Sequence, residues 1–190
     1  MNYLFFDVES IDIKHETICS FGYYLTDEDF NVLENNDFLI NPNLKDNEYD
    51  KWAIIRCLKY DFNKLLNSPT FMHYYKKIKE LIINENNLVF AFAKDNEIKY
   101  LNGERRRHKL PLIFNEKNNL YDVQKIYKNY KENKNESALK KCVEELAIDT
   151  SNFNEHTSLD DALMTMLVAK KICEIENCSL EILIEKYNKI

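Results

Sequence analysis

The sequence predicts an α/β domain built on a mixed β-sheet with helices on both faces. Three observations support this fold class: a strand-like stretch at residues 3–10 that begins with an apolar run, two further strand-like stretches within residues 16–40, and alternating helix and strand patterns from residue 70 onward. Strands joined by polar turns favour antiparallel pairing, whereas strands separated by a helix favour parallel pairing. We therefore expect an antiparallel meander followed by parallel strands.

The first three predicted strands form the meander. The first is the stretch 3–10, in which an apolar run leads into Asp7-Val8-Glu9. Residues 16–25 are rich in β-branched and aromatic side chains, residues 26–29 form a polar turn, and residues 30–40 resume the strand pattern. Residues 43–69 are polar with scattered apolar anchors, which indicates short helices in a long connection rather than a domain boundary.

The second half of the chain alternates between helices and strands. Apolar residues with helical spacing predict a helix over 70–83, the apolar run 88–93 predicts a buried fourth strand, and residues 120–122 predict a brief fifth. The remaining predicted helices cover 96–109, 123–130, 137–147, 158–173 and 179–187. This order indicates a five-stranded ribonuclease H-like sheet in a single domain, residues 1–190, with a C-terminal helix at 179–190 packed on it.

Composition limits the possible functions. A chain of 190 residues, 45% of them hydrophobic, suits one globular domain. Its five cysteines show no CxxC spacing, and their odd number favours reduced thiols in the cytoplasm. Without a signal-peptide pattern or a long apolar run, we expect a cytoplasmic protein that does not associate with membranes. The net charge of −6 means that any contact with nucleic acid must be local or metal-mediated.

Asp7 and Glu9 are the first candidate site residues. Residues i and i+2 of a strand point to the same face, so both acids should lie side by side where a buried strand ends. Two like charges in that position are costly unless a cation neutralises them. An isolated Asp-x-Glu is more often the solvated end of a strand, so the motif requires partners elsewhere in the chain.

Candidate partners stand at the ends of later elements. Asp95 follows the fourth predicted strand, Asp161 falls in the first turn of the helix at 158–173, and His156 lies just before that helix. Carboxylates converging from these elements would form an oxygen-rich site for hard divalent ions such as Mg²⁺ or Mn²⁺. Asp160 is adjacent to Asp161 and competes for the same role.

Taken in order, these motifs resemble the DEDDh branch of the DnaQ-like 3′–5′ exonucleases over roughly residues 3–175. The resemblance implies that Asp7, Glu9 and Asp161 hold two Mg²⁺ or Mn²⁺ ions and that Asp95 binds one of them through water. It implies that His156 is the general base. It also implies hydrolysis by two ions about 3.5 to 4 Å apart, with release of nucleoside 5′-monophosphates from a 3′ end.

Some positions depart from the family's pattern. Ser10 and Ile11 follow the first acids where the family usually has Thr and a small residue, so we expect them at the substrate, with Ile11 reshaping the nucleotide pocket. The residues before Asp95 also differ from the family's second motif. The family's His-x4-Asp spacing favours Asp161 over Asp160 as the ligand.

The basic run at 105–109 allows two interpretations: a solvated helix face, or contact of Arg105, Arg106 or Lys109 with substrate phosphate. The expected function is metal-dependent 3′–5′ exonuclease activity on single-stranded DNA or RNA 3′ ends or short oligonucleotides, with DNA and RNA both open. The alternative is a catalytically impaired nucleic-acid-binding or accessory subunit that retains the fold. Net acidity adds the hypothesis of recruitment by another protein, such as a polymerase.

Overall fold

The computed structural model describes residues 1–11, 16–114, 120–151, 153 and 157–188. Its sheet has five strands, listed in chain order as β1 (Asn2–Glu9), β2 (Ser20–Thr26), β3 (Val32–Leu39), β4 (Asn87–Ala91) and β5 (Leu120–Asp122). Their order across the sheet is β3-β2-β1-β4-β5. The pairs β1–β2 and β2–β3 are antiparallel, whereas β1–β4 and β4–β5 are parallel. The predicted mixed five-stranded sheet is therefore confirmed.

Seven α-helices lie in the described ranges. They are α1 (Phe62–Leu66), α2 (Phe71–Ile83), α3 (Lys94–Arg107), α4 (Val123–Tyr130), α5 (Leu139–Glu145), α6 (Ser158–Glu176) and α7 (Leu180–Tyr187). The connection between β3 and α1 also contains a short 3₁₀ helix, Asp46–Glu48, and a π-helical turn, Ala53–Cys57. Among these described helices, none is both long enough and apolar enough to cross a membrane.

Strand β1 separates two hydrophobic cores. Tyr3 and Phe5 face the core formed with α4, α5, α6 and α7. Leu4 and Phe6 face the opposite core, formed with α2 and α3. All four side chains are almost fully buried, which explains why the strand is apolar on both faces until it reaches Asp7. Helices therefore cover both faces of the sheet, as predicted.

A third, smaller core holds the long connection against the end of β1. Ile11 packs there with Ile54, Leu58 and Leu65, and only 3% of Ile11 is exposed. The side chain of Ile11, which was expected to reshape the nucleotide pocket, thus lies in a core cluster. The same packing brings the segment that carries Tyr60 close to the start of β2.

Several element boundaries differ from the predicted ones for identifiable reasons. Strand β2 begins at Ser20 rather than near residue 16, because the backbone N–H of Ile18 donates to the Glu104 carboxylate on α3 and not to another strand. Helix α3 begins at Lys94, where Ala93 takes a left-handed conformation (φ 55°, ψ 49°) as its N-cap. Helix α6 continues to Glu176, past the predicted end.

Candidate active site

Three carboxylates meet where β1 ends. Asp7 and Glu9 occupy alternate positions of β1, and Asp161 lies in the first turn of α6. One carboxylate oxygen from each residue lies within 4.8 Å of those of the other two, and all three residues are partly buried. Strand alternation places the first two acids on the face that α6 covers, and α6 supplies the third.

Gly22 allows α6 to approach this closely. It lies opposite Asp7 in the β1–β2 register, directly beneath the first turn of α6. A Cβ atom at residue 22 would stand 2.2 Å from the backbone carbonyl carbon of Ser158 and 2.3 Å from the backbone nitrogen of Leu159. Backbone therefore occupies the space that any side chain would need, and Asp161 follows within the same first turn of the helix.

The neighbouring acid, Asp160, has a different role. Its Oδ2 atom accepts a hydrogen bond from the Thr157 hydroxyl at 3.1 Å, and the same hydroxyl accepts the backbone N–H of Asp160 at 3.4 Å. This reciprocal arrangement caps the N-terminus of α6. Among the described residues, the metal-sized cluster contains Asp161 and not Asp160.

A fourth carboxylate reaches the site from α3. Glu97 is 7% exposed, and its Oε2 atom accepts the backbone N–H of Val8, between Asp7 and Glu9, at 2.9 Å. Asp95 lies elsewhere: its side chain is 75% exposed and 3.4 Å from the Lys125 ammonium group. Residues two apart on a helix project about 200° apart, so only one of the two acids can face the sheet. In the structure Glu97 faces the cluster, whereas Asp95, the acid expected there from the sequence, faces solvent.

Burial and mutual repulsion disfavour ionisation of these acids. Burial raises the pKa of Asp7 well above its usual range, and Glu97, Glu9 and Asp161 raise it further. Burial, followed by Asp161 and Asp37, raises the pKa of Glu9 to about 8. The pKa of Glu97 is also well raised, by burial above all, although the hydrogen bond from Val8 opposes the shift. Such a cluster ionises readily only when a cation neutralises it.

The donor set fits a hard divalent cation. All four side chains offer carboxylate oxygens, the ligands that Mg²⁺ and Mn²⁺ prefer, and no sulfur ligand takes part. The positive charge of a bound ion would oppose both the burial and the repulsion that raise these pKa values. Asp7, Glu9 and Asp161 are therefore spaced so that they could hold a divalent cation, and Glu97 stands beside them.

A cavity of about 360 Å³ lies next to Asp161, between α5 and α6. Its apolar lining comes mainly from Leu139, Val143 and Met164, and its polar lining includes Thr150 and Asp161. A largely apolar wall beside a candidate metal ligand offers contact area for a flat, uncharged group rather than for a phosphate.

The remaining predicted site residues have other surroundings. Arg105 donates to Asn102 and to the Leu110 carbonyl, and Arg106 pairs with Glu16 at 2.6 Å. Both lie about 12 Å or more along α3 from Glu97, and in this structure they make intramolecular contacts. Ser10 is partly buried directly after Glu9. His156 lies outside the described residues.

Known structures share this fold. The nuclease domain of 3′hExo, a DEDDh family member bound to rAMP, matches with a TM-score of 0.78 and 17% identity over 93% of each chain. A 3′-exonuclease that recognises the 3′ end of a histone mRNA stem-loop matches with a TM-score of 0.76 and 15% identity, over 93% of this chain and 64% of that one. E. coli exonuclease I in complex with a dA16 oligonucleotide gives a TM-score of 0.70 and 15% identity, over 91% of this chain and 41% of that one.

These likenesses are structural, since no protein-family model and no curated protein sequence matches the chain. At such low identities they establish the fold, which is the ribonuclease H-like fold of DEDDh 3′-exonuclease domains. The chain spans slightly less than two thirds of the stem-loop-binding exonuclease and under half of exonuclease I.

Sequence reasoning missed Glu97, although a signal for it exists. Glu97, Leu101 and Glu104 recur with i, i+4 and i+7 spacing and form one buried stripe of α3. Because two of these three residues are charged, a hydrophobicity pattern alone would assign the stripe to the solvent-exposed face of the helix. Asp37 of β3 was missed as well, and its contacts depend on strand register and on where α6 begins.

Proposed function

We propose that this protein is a metal-dependent 3′–5′ exonuclease that releases nucleoside 5′-monophosphates from single-stranded DNA or RNA 3′ ends or from short oligonucleotides. The observation that carries the proposal is the convergence of Asp7, Glu9 and Asp161 within 4.8 Å, in a fold shared with 3′-exonuclease domains. Each of these residues comes from an element whose position the sheet determines.

In this proposal Asp7, Glu9 and Asp161 hold two Mg²⁺ or Mn²⁺ ions. Glu97 takes the part first expected of Asp95, because its carboxylate is buried beside Val8 whereas that of Asp95 is exposed. When bound, such ions supply positive charge that stabilises the attacking and leaving oxygens of a phosphodiester displacement. The protein's own contribution is to hold these acids close together despite their mutual repulsion.

His156 is proposed as the general base, on the strength of its sequence position before α6. A neutral imidazole with a pKa near 6.5 can accept a proton from an attacking water near neutral pH. His156 directly precedes Thr157, the N-cap of α6, and Asp161 lies in the first turn of that helix. Base and metal ligand would thus come from one short segment.

The proposed substrate class follows from the overall charge together with local features of the site. A net charge of −6 disfavours long polyanions, so a 3′ terminus entering a metal-lined site is the form of nucleic acid that suits this chain. The apolar cavity beside Asp161 offers a surface for a base. Recruitment by a partner protein would compensate for weak binding of long strands, and we include it as part of the proposal.

The test is a degradation assay with matched DNA and RNA substrates. Oligonucleotides labelled at the 5′ end, with free or phosphate-blocked 3′ ends, are incubated with metal-stripped protein and either Mg²⁺ or Mn²⁺. We expect stepwise shortening from free 3′ ends, with nucleoside 5′-monophosphates as products, and little activity on blunt duplexes. Binding without shortening under either metal would instead support a non-catalytic accessory subunit.

A further inference from the structure

Asp37 is a partly buried acid next to the proposed site that the proposed reaction does not use. It lies opposite Gly22 in the β2–β3 register, and Gly22 in turn lies opposite Asp7. Residues directly opposite one another across a sheet share a face, so Asp37 and Asp7 flank the glycine beneath α6. The Ser158 hydroxyl donates a hydrogen bond to Asp37 Oδ1 at 2.9 Å.

A second contact holds the same turn of α6. The Tyr60 hydroxyl donates to Ser20 Oγ at 2.7 Å and accepts the backbone N–H of Ser158 at 3.4 Å. Ser158 is the first residue of α6 and is fully buried. N–H groups in the first helical turn have no partner within the helix, so Tyr60 supplies one that water cannot reach. Asp37 of β3 thus holds the side chain of Ser158, and Tyr60 of the connection before α1 holds its backbone.

Attractive contacts are needed at this point. Gly22 permits the close approach of α6 but contributes no side chain to hold it. The negative charge of Asp37 beside the N-terminus of α6 also interacts favourably with the helix dipole.

We propose that Asp37, Ser158 and Tyr60 are positioning residues that fix the first turn of α6 on the sheet and thereby set the place of the Asp161 carboxylate among the metal ligands. This inference rests on the proposed function. Asp161 lies three residues after Ser158, about 4.5 Å along the helix axis, so a shift of the first turn moves the carboxylate with it. Outer residues that orient metal ligands typically contribute 10- to 100-fold to metal affinity or activity.

The test compares two variants with two matched controls. Ser158→Ala removes the hydroxyl that reaches Asp37, and Tyr60→Phe removes the hydroxyl that reaches Ser158 and Ser20. Ser179→Ala removes the side-chain cap of α7, and Tyr127→Phe removes a buried phenol that bonds Glu145. Neither control residue belongs to the acidic cluster or to α6. Mn²⁺ affinity is measured by electron paramagnetic resonance, alongside thermal stability and the kcat and KM of nucleotide release.

We expect Ser158→Ala and Tyr60→Phe to weaken Mn²⁺ binding about tenfold and to lower kcat by a similar factor, with KM for the oligonucleotide nearly unchanged. The controls should lose comparable thermal stability while keeping wild-type Mn²⁺ affinity. Asp37→Asn should retain more Mn²⁺ affinity than Asp37→Ala, because the amide oxygen can still accept the Ser158 hydrogen bond.

The outcomes separate the positioning role from the proposed function. If the wild-type protein binds Mn²⁺ and releases nucleotides, but Ser158→Ala and Tyr60→Phe behave like the controls, the positioning role is wrong and the function stands. Equal Mn²⁺ affinity for Asp37→Asn and Asp37→Ala, both at the wild-type level, would also overturn it. If the wild-type protein neither binds Mn²⁺ nor releases nucleotides, the proposed function fails and the positioning role fails with it.

Discussion

Glu97 Oε2 accepts the backbone N–H of Val8 at 2.9 Å, which ties α3 to the strand residue between Asp7 and Glu9. This hydrogen bond lowers the cost of a carboxylate whose pKa burial raises. It also fixes the rotation of α3 about its axis. The side chain two residues before Glu97 must therefore point outward. The exposed position of Asp95 is the consequence.

The first prediction distinguishes the roles of Glu97 and Asp95. Glu97→Gln should reduce nucleotide release about 100-fold, because it removes a charge that the site needs to attract and retain divalent ions. Asp95→Asn should leave the rate nearly unchanged, because that carboxylate pairs with Lys125 in solvent. Steady-state kinetics of the two variants at saturating Mg²⁺ provides the comparison. A large loss of activity in Asp95→Asn, with a nearly unchanged rate in Glu97→Gln, would instead assign the role in metal binding to Asp95.

The second prediction concerns pH and metal. Asp7, Glu9 and Glu97 have pKa values above those of the unfolded chain, that of Glu9 being about 8. The metal-free folded protein therefore binds more protons than the unfolded chain between about pH 5 and about pH 8. Its free energy of unfolding should fall as pH rises through this window, by up to about 1.4 kcal/mol per pH unit for each proton.

Urea unfolding in a chelator and in saturating Mg²⁺ measures this dependence. Mg²⁺ should flatten the pH dependence, because the bound ion stabilises the ionised carboxylates. Asp7→Asn should raise stability in the chelator at the upper end of the window, since it removes one repelling charge. A free energy of unfolding that rises with pH in the chelator would contradict the account of the cluster.

The third prediction tests the close approach of α6 to β2. In Gly22→Ala the new methyl group would stand 2.2 Å from the Ser158 carbonyl carbon, so backbone must move. We expect a loss of about 3 kcal/mol in the free energy of unfolding, together with weaker Mg²⁺ activation. Asn35→Ala, at an exposed position of β3, is the control in the same sheet. Wild-type stability and activity in Gly22→Ala would show that α6 does not depend on this contact.

The fourth prediction concerns His156. His156→Ala should lower kcat by about 100-fold or more while Mn²⁺ affinity stays at the wild-type value, because a general base moves a proton without binding the ion. Pre-steady-state nucleotide release and Mn²⁺ titration of the same variant measure the two quantities. Parallel loss of both would make His156 a ligand or a structural residue.

Features set by local periodicity could be predicted from the sequence. Alternation along β1 predicts that Asp7 and Glu9 lie on one face. Strands joined by polar turns are predicted to be antiparallel and strands joined by a helix to be parallel, as the structure shows. The His-x4-Asp spacing selected Asp161, the acid that lies in the carboxylate cluster. Each of these inferences needs only the geometry of a single element or the order of neighbouring elements.

Features that depend on long-range packing could not be predicted. The choice between Asp95 and Glu97 depends on the rotation of α3, which the long-range hydrogen bond from Val8 to Glu97 fixes and which sequence patterns do not reveal. The environment of Asp37 depends on the β2–β3 register and on the point where α6 begins. Arg106 appeared available to a substrate because its partner, Glu16, is ninety residues away in sequence.

The central claim is that the carboxylate cluster performs metal-dependent removal of 3′-terminal nucleotides. The most direct measurement is the release of label from the 3′-terminal nucleotide of a single-stranded oligonucleotide by metal-stripped protein, before and after Mg²⁺ or Mn²⁺ is returned, with Asp7→Asn in parallel. The account predicts nucleoside 5′-monophosphate only in the wild-type protein and only after metal is returned. Release without metal, equal release by Asp7→Asn, or no release under either metal would contradict it.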